Sequence, residues 1–168
     1  MFYDPKIHNR RSIRLKEYDY SEPGYYFLTI CTHNRQILFE NQSSVEMIQK
    51  WWRALPSKFF NVQIDAFIVM PDHIHGIINI TVGADQRVCP KLIRGKHIGL
   101  PLPAIIQWYK TMTTNEYIQN VEKYNWVHFD RKLWQRNYYE RIIRNEKELN
   151  RKREYVINNR IKHKQNNR

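Results

Sequence analysis

Two histidines separated by one residue, His73 and His75, are the first candidates for a functional site in this chain. They fall at the start of a predicted strand, where residues i and i+2 point to the same face of a sheet. Two neighbouring imidazoles are a common pair of metal ligands, and they leave positions for a third ligand and a substrate. A pair of structural histidines at a strand start is the alternative, and the spacing alone does not separate the two.

A second candidate is Tyr155, which lies in the last predicted helix. At about 100° per residue, the apolar stripe of that helix is formed by Leu149, Val156 and Ile157. Tyr155 falls outside this stripe, and Arg151 and Asn159 lie one turn before and one turn after it on the same side. An ordinary surface tyrosine is the alternative reading of this position.

Together these residues suggest phosphodiester chemistry. A free phenol has a pKa near 10, and a nearby metal ion or a basic side chain favours its anion. Two imidazoles, an amide oxygen and a tyrosine among cations would therefore make a coherent site for cleaving a phosphodiester bond.

The charge of the chain points to a polyanionic partner. Lys and Arg number 28 against 16 Asp and Glu, a net charge of +12, which is large for a small domain. Aromatic residues make up 14% of the chain and many are interleaved with cations, as in proteins that stack single-stranded bases. A basic protein without a nucleic-acid role is the alternative. The cations expected to contact DNA are Arg94, Lys96, Lys110, Arg136, Arg151 and Lys152.

The elements that must position these residues follow from periodicity and turn signals. Strands are predicted at residues 25–33, 62–70, 73–80 and 126–134, and helices at 43–59, 101–120 and 145–159. A capping box from Ser43 to Glu46 opens the first helix. This order predicts an antiparallel sheet with helices packed on one face, an α+β fold.

The domain organisation is simple. We expect a basic N-terminal arm at 1–20, one catalytic domain at 21–160 and a basic tail at 161–168, with a long basic loop at 82–99. No apolar run is long enough for a membrane span and residues 1–14 are not a secretory signal, so a cytoplasmic protein is expected. Cys31 is expected to be a buried free thiol, and two cysteines far apart argue against cysteine-based zinc chemistry.

Three motifs in one order carry a resemblance to a known family. They are Val69–Gly76, Leu133–Glu140 and Glu154–Asn159, and they resemble the single-tyrosine HUH transposases of the IS200-like superfamily. The likeness is greatest to the branch associated with repetitive extragenic palindromes (REP), and it extends from about residue 24 to residue 159. The resemblance implies a ferredoxin-like α+β fold and cleavage of single-stranded DNA next to a hairpin, through a 5′-phosphotyrosine intermediate.

The resemblance also implies roles for individual residues. His73 and His75 match the metal-binding histidines, Tyr155 matches the nucleophile and Asn159 matches the third metal ligand. It implies a divalent cation, Mg²⁺ or Mn²⁺, and nitrogen ligands suit Mn²⁺ better. The family has proline after the asparagine, whereas this chain has Arg160, which would let the helix continue.

Other functions compete with this expectation. One is a non-catalytic module that binds nucleic-acid hairpins with the same fold, and another is a metal-dependent hydrolase that uses activated water. The expected partner is single-stranded or hairpin DNA and not a membrane, and relatives in the family work as monomers or as homodimers.

Overall fold

The computed structural model describes residues 22–81 and 101–166, with side chains described as far as residue 159. The expected arm at 1–20 and the expected basic loop at 82–99, which contains Arg94 and Lys96, lie outside these residues. The elements in chain order are β1 (Gly24–Cys31), a 3-10 turn (His33–Arg35), α1 (Gln42–Arg53), α2 (Leu55–Lys58), β2 (Val62–Met70), β3 (His73–Ile80), α3 (Leu102–Tyr124), β4 (Tyr139–Ile143) and α4 (Glu146–Asn166).

The four described strands form one antiparallel sheet in the order β2-β3-β1-β4. The sequence β1-α1-β2-β3-α3-β4 is the βαββαβ pattern of ferredoxin-like folds. Helices pack on this sheet, so the predicted α+β fold is confirmed. The predicted bounds of β2 and β3 are confirmed as well, with Pro71 and Asp72 forming the turn between them.

Helices cover both faces of the sheet, so the prediction that all helices pack on one face is wrong. On each strand, every second residue faces α1 and α3. These strand residues and the two helices form a large apolar core, which includes Tyr26, Leu28, Ile74, Ile78, Trp52 and Ile106. The other set faces α4 in a smaller core formed by Phe27, Ile68, Met70, Ile77, Ile143, Leu149 and Val156. Helix α4 lies outside the βαββαβ unit. Helices α1 and α3 cover one face of the sheet, so the apolar residues of α4 pack on the other face.

The first helix is capped differently from the expectation. Asn41 is its N-cap, and its side-chain oxygen accepts a hydrogen bond from the Ser44 backbone N–H at 2.6 Å, so the predicted capping box of Ser43 is wrong. The predicted single helix to residue 59 is also wrong, because α1 ends at Arg53. Pro56 has no N–H to continue the helical bonding, and the chain forms the short helix α2 instead.

The predicted fourth strand at 126–134 is wrong. The segment makes only a bridge between Thr32 and Trp134 among the described residues. Leu133 and Trp134 are buried in the core on the α1 and α3 face, so these two apolar residues pack in that core without belonging to a strand. Strand β4 begins at Tyr139, and because it lies at the sheet edge its residues are mostly exposed or half-buried.

Helices α3 and α4 are longer than predicted. Helix α3 ends at Tyr124, before Asn125 adopts a left-handed conformation with φ of 53°, and α4 continues past Asn159 to Asn166. Residue 160 is an arginine and not a proline, so it does not interrupt the helical hydrogen bonding, and the backbone of the expected tail is helical as far as Asn166. No described helix has both the length and the apolarity needed to cross a bilayer.

Gly76 lies where the sheet and α1 approach most closely. A Cβ atom at this position would be 2.4 Å from Cζ2 and 2.5 Å from Cη2 of Trp52. The Trp52 ring cannot easily move, because it is buried and stacked on Phe67 at 4.4 Å between ring centroids. Only glycine fits beneath this ring in the observed packing.

We therefore expect Gly76→Ala to lower the free energy of unfolding by about 1–3 kcal/mol, the usual cost of overpacking a core. Urea denaturation measures the change, and Asn79→Ala on the opposite face of β3 is the control. The combination of Gly76→Ala with Trp52→Phe should cost less than the sum of the two changes, because the atoms in conflict are gone. Strict additivity would show that Trp52 is not the cause.

Candidate active site

Two histidine side chains on β3 converge on the sheet face that α4 covers. His73 and His75 alternate with Ile74, which is buried on the opposite face. Nε2 of His73 lies 3.1 Å from Nε2 of His75, and the ring centroids are 4.6 Å apart. The side-by-side arrangement predicted from the i, i+2 spacing is therefore present in the structure.

The remaining ring nitrogens of both histidines have partners that fix their orientation. Nδ1 of His73 lies 2.5 Å from Oδ1 of Asp72, and a carboxylate can only accept, so this Nδ1 carries the proton. Nδ1 of His75 lies 2.8 Å from the hydroxyl oxygen of Thr29, which faces it across the β1–β3 ladder. Such contacts through the second ring nitrogen are typical of metal-binding histidines.

The pair fits a divalent cation. A metal bound at about 2.1 Å places two neighbouring nitrogen ligands about 3.0–3.4 Å apart, and the two Nε2 atoms are 3.1 Å apart. An imidazole whose Nδ1 carries the proton has a lone pair on Nε2, and this is the form of His73. The Nδ1 of His75 faces a hydroxyl that can donate or accept, so Nε2 of His75 can either donate a hydrogen bond to His73 or share a cation with it.

Burial keeps His75 neutral. The pKa of His75 is lowered to about 4, first by burial and then by the nearby charges of His73, Lys152 and Arg35. A metal ligand must be the neutral imidazole. His75 is therefore neutral at neutral pH, which is the form that a metal ligand needs.

Helix α4 brings Tyr155 to the histidine pair. The phenol oxygen lies 3.5 Å from Nε2 of His75, and the two ring centroids are 5.2 Å apart. Leu149 and Val156 are buried as the predicted stripe requires, but Ile157 is 63% exposed, so its assignment to the stripe is wrong. Tyr155 is 46% exposed, so one side of the phenol contacts the sheet and the other is open to solvent.

The side chains of the candidate site pack on the ring of Phe27. It stacks on His75 at 5.5 Å and 24°, and it meets Tyr155 edge-to-face at 5.9 Å and 73°. The ammonium of Lys152 lies 4.3 Å from the centroid of the same ring, a cation–π distance. One buried residue of β1 thus positions a histidine, a tyrosine and a lysine together.

Asn159, the residue expected to be a third metal ligand, is not held at the histidine pair by a described contact. Asn159 is half-buried one turn after Tyr155, and the described residues show no hydrogen bond from its amide to either histidine. They also contain no group of three His, Cys, Asp or Glu side chains that could hold a metal. Cys31, opposite His73 in the ladder, is a free thiol that is half-buried and not buried as expected. A third protein ligand among the described residues would therefore come from another kind of group, and the amide of Asn159 is one that can serve.

The expected DNA-binding cations are distributed unevenly. Lys152 and Arg151 lie beside Tyr155 on α4. Lys110 is buried, and its ammonium donates to the backbone carbonyls of Gln135 and Arg136 at 2.8 and 3.2 Å. Because Lys110 supports the segment before β4, it is not available to a phosphate, and its assignment as a DNA contact is corrected. The Arg136 side chain is exposed.

One relative is similar to this chain over almost its whole length. A protein of Haemophilus influenzae strain Rd, described as uncharacterized, is 36% identical over 174 residues, which is 95% of this chain and 92% of the relative. This chain belongs to the same family as that protein. No protein-family model matches the chain.

Two solved structures share the fold. The structure of a REP-associated tyrosine transposase bound to a REP hairpin superposes with a TM-score of 0.59 at 17% identity, covering 92% of this chain and 74% of that one. A candidate transposase of Deinococcus radiodurans R1 superposes with a TM-score of 0.53 at 16% identity, covering 88% and 97%. These likenesses show that the α+β fold is one that transposases use.

Several residues of the site carried no signal in the sequence. Phe27 and Thr29 sit in a strand whose residues are all apolar, aromatic or small, and only the β1–β3 register identifies their faces. Asp72 lies in the turn between β2 and β3, and nothing in its sequence position identifies it as the partner of His73. Arg141 and Glu148, which form an ion pair beside Tyr155, come together only because β4 and α4 are adjacent.

An ion pair to β2 helps to hold α4 in place. Arg153 donates to both oxygens of the Asp65 carboxylate: Nε lies 3.1 Å from Oδ1 and from Oδ2, and Nη2 lies 2.7 Å from Oδ2. This contact lies two residues before Tyr155 in the helix. The hydrogen bond from Arg153 is the main cause that lowers the pKa of Asp65.

Asp65→Asn should therefore destabilise the protein by about 1 kcal/mol at pH 7, in the range of a partly exposed ion pair. A carboxyl whose pKa is lowered in the folded state contributes stability above its unfolded pKa and loses it as the pH falls through the folded value. Urea denaturation from pH 7 to pH 3 should show the two proteins converging in acid. A constant difference at all pH values would mean that the charge of Asp65 does not carry the effect.

Proposed function

We propose that this protein is a transposase-like enzyme that nicks and rejoins single-stranded DNA next to a hairpin. Tyr155 is the nucleophile, and His73, His75 and Asn159 hold a divalent cation, Mg²⁺ or Mn²⁺. The observation that carries the proposal is the 3.5 Å distance between the phenol oxygen of Tyr155 and Nε2 of His75, at the point where the two imidazoles converge. It unites two signals that lie 80 residues apart in the sequence.

The environment of Tyr155 suits a nucleophile. The phenol is half exposed, so a DNA phosphate can approach its oxygen from the solvent side, and the ammonium of Lys152 lies 5.6 Å from the centroid of its ring. That positive charge would attract the phosphate that Tyr155 attacks. Tyr117 and Tyr109 are less suited to this role because they are buried, and burial raises the pKa of Tyr117 to about 12 and also raises that of Tyr109.

The reaction exchanges one phosphate ester for another. The phenolate oxygen of Tyr155 attacks the phosphorus, the bond to the 3′ oxygen of the preceding nucleotide breaks, and that oxygen takes a proton from water. The strand ends are then a free 3′ hydroxyl and a 5′ phosphate joined to Tyr155. When bound, the cation would supply Lewis-acid stabilisation of the charge that develops on the phosphate. Rejoining is the reverse attack by a 3′ hydroxyl, which releases the phenol.

The DNA partner follows from charge and from the shared fold. The net charge of +12 favours a polyanion, and one protein of the same fold is a tyrosine transposase bound to a REP hairpin. We infer a hairpin with a single-stranded flank as the substrate, in the cytoplasm and outside any membrane. The protein would act as a monomer or as a homodimer.

The nucleophile is tested by trapping the covalent product. Wild-type protein incubated with single-stranded hairpin DNAs and Mn²⁺ should give an adduct on a denaturing gel, and Tyr155→Phe should give none while still binding DNA. Tyr138→Phe is the matched control and should retain the adduct. Mass spectrometry of the nuclease-trimmed adduct locates the phosphotyrosine, and finding it on Tyr138 or Tyr139 would refute the assignment.

The same assay separates the competing functions. Cleavage without any adduct would indicate a hydrolase that uses activated water, and binding without cleavage would indicate a hairpin-binding module.

The metal ligands are tested by removing each in turn. His73→Ala and His75→Ala should reduce cleavage to background and leave hairpin binding within about twofold, because phosphate contacts on the protein surface dominate affinity. Asn159→Ala should also reduce cleavage, whereas Asn158→Ala, its exposed neighbour, should not. Chelation of the cation should mimic the histidine variants. Full cleavage by both histidine variants would exclude the metal role.

A further inference from the structure

A pocket lies beside Tyr155 on the sheet face that α4 covers. It has a volume of about 350 Å³ and is lined by Tyr139, Arg141, Glu148, Arg151, Lys152 and Tyr155. Small-molecule sites have volumes of about 300–1,000 Å³, so this pocket can hold one group of nucleotide size but not a duplex. It shares Tyr155 with the histidine site and extends from there towards β4.

The pocket carries an excess of positive charge that its single acid does not cancel. Glu148 is nearly buried, and its carboxylate accepts from Nε of Arg141 at 2.5 Å and from the Arg144 backbone N–H at 3.2 Å. The acid is thus occupied in holding Arg141, whose side chain is still 53% exposed. With Arg151 exposed and Lys152 half-buried, three cations line a concave surface, and such clusters favour phosphate.

Two half-exposed aromatic rings flank the same pocket. Tyr139 is 48% exposed and Tyr155 is 46% exposed. Tyr139 meets Phe27 edge-to-face at 6.5 Å and 71°, and Tyr155 does so at 5.9 Å and 73°. Both rings are held from below by one buried phenylalanine while part of each remains free. Aromatic rings fixed among cations are what single-strand binding proteins use to stack bases.

We propose that this pocket binds one unpaired nucleotide, the one that follows the scissile phosphate. Its base stacks on Tyr139, and its phosphates contact Arg141 and Arg151. This inference rests on the proposed function, because Tyr155 keeps the 5′ phosphate after cleavage and the nucleotide carrying that phosphate stays beside α4. The pocket would hold the covalently joined strand end in position until rejoining.

The test is an abasic scan in a protein that cannot cleave. In the Tyr155→Phe background, each position of the single-stranded flank of a hairpin DNA is replaced in turn by an abasic site, and affinity is measured by fluorescence anisotropy. One position should weaken binding about tenfold when its base is removed. With Tyr139→Leu added, that penalty should disappear, and with Tyr139→Phe, which keeps the stacking ring, it should remain.

A tyrosine elsewhere provides the control. Tyr124 is 70% exposed and lines a different pocket next to α1, so with Tyr124→Leu the abasic penalty should persist. Arg151→Gln should also reduce the dependence of log affinity on log salt by about 0.7, the value for one phosphate contact on a single strand. Lys123→Gln at the exposed end of α3 should leave the salt dependence unchanged.

The outcomes separate the pocket from the proposed chemistry. If no position loses its penalty with Tyr139→Leu, the pocket does not take a base. If the coupled position is not the one after the cleavage site mapped with wild-type protein, the assignment to that nucleotide is wrong. If wild-type protein forms no adduct with any hairpin, the proposed function fails and the assignment to that nucleotide fails with it. In that case, loss of the abasic penalty with Tyr139→Leu would still show that the pocket binds a nucleotide.

Discussion

The packing of α4 on the sheet is the contact on which the candidate site depends. Leu149 and Val156 are the buried apolar residues of this helix, and they pack in one cluster with Phe27, Ile77 and Ile143. They are separated by two helical turns, so they fix which side of the helix faces the strands. Tyr155 immediately precedes Val156 and must then lie at the border of the contact. The approach of its phenol to His75 is a geometric consequence of burying Val156.

The two faces of the sheet serve different purposes. The face towards α1 and α3 carries the larger core, which fixes β3 tightly enough that Gly76 has no room for a side chain. The face towards α4 has a smaller core that leaves Tyr155 and Tyr139 half exposed. The strands therefore fix the histidines on one side, while Tyr155 and Tyr139 remain accessible to solvent on the other.

The local elements of the site could be predicted from sequence, but their assembly could not. The i, i+2 spacing of His73 and His75 and the off-stripe position of Tyr155 each depend only on one element's periodicity. The choice of sheet face for α4 depends on which apolar surface the other helices leave uncovered, and periodicity contains no information about that. The misplaced fourth strand has a similar cause, because Leu133 and Trp134 have an apolar pattern whether they face a sheet or helices.

Residues that act through contacts between elements were the ones that sequence reasoning missed. Thr29 becomes a partner of His75 through the strand register. Phe27 gains its role because four side chains from three other elements pack on it. Lys110 shows the opposite case. Its charge suggested a DNA contact, but its position on α3 directs the ammonium to backbone carbonyls, where it supports the segment that leads to β4.

The electrostatics of the site favour an anionic ligand over an empty state. Lys152, Arg151 and Arg141 line the pocket beside Tyr155, and the one carboxylate among them is already engaged with Arg141. The pKa values reflect this repulsion and burial. The pKa of Lys152 is lowered first by burial and then by the charge of Arg141, and the charge of Lys152 contributes to the low pKa of His75. A phosphate in this position would relieve that repulsion, since it adds negative charge where the protein has an excess of positive charge.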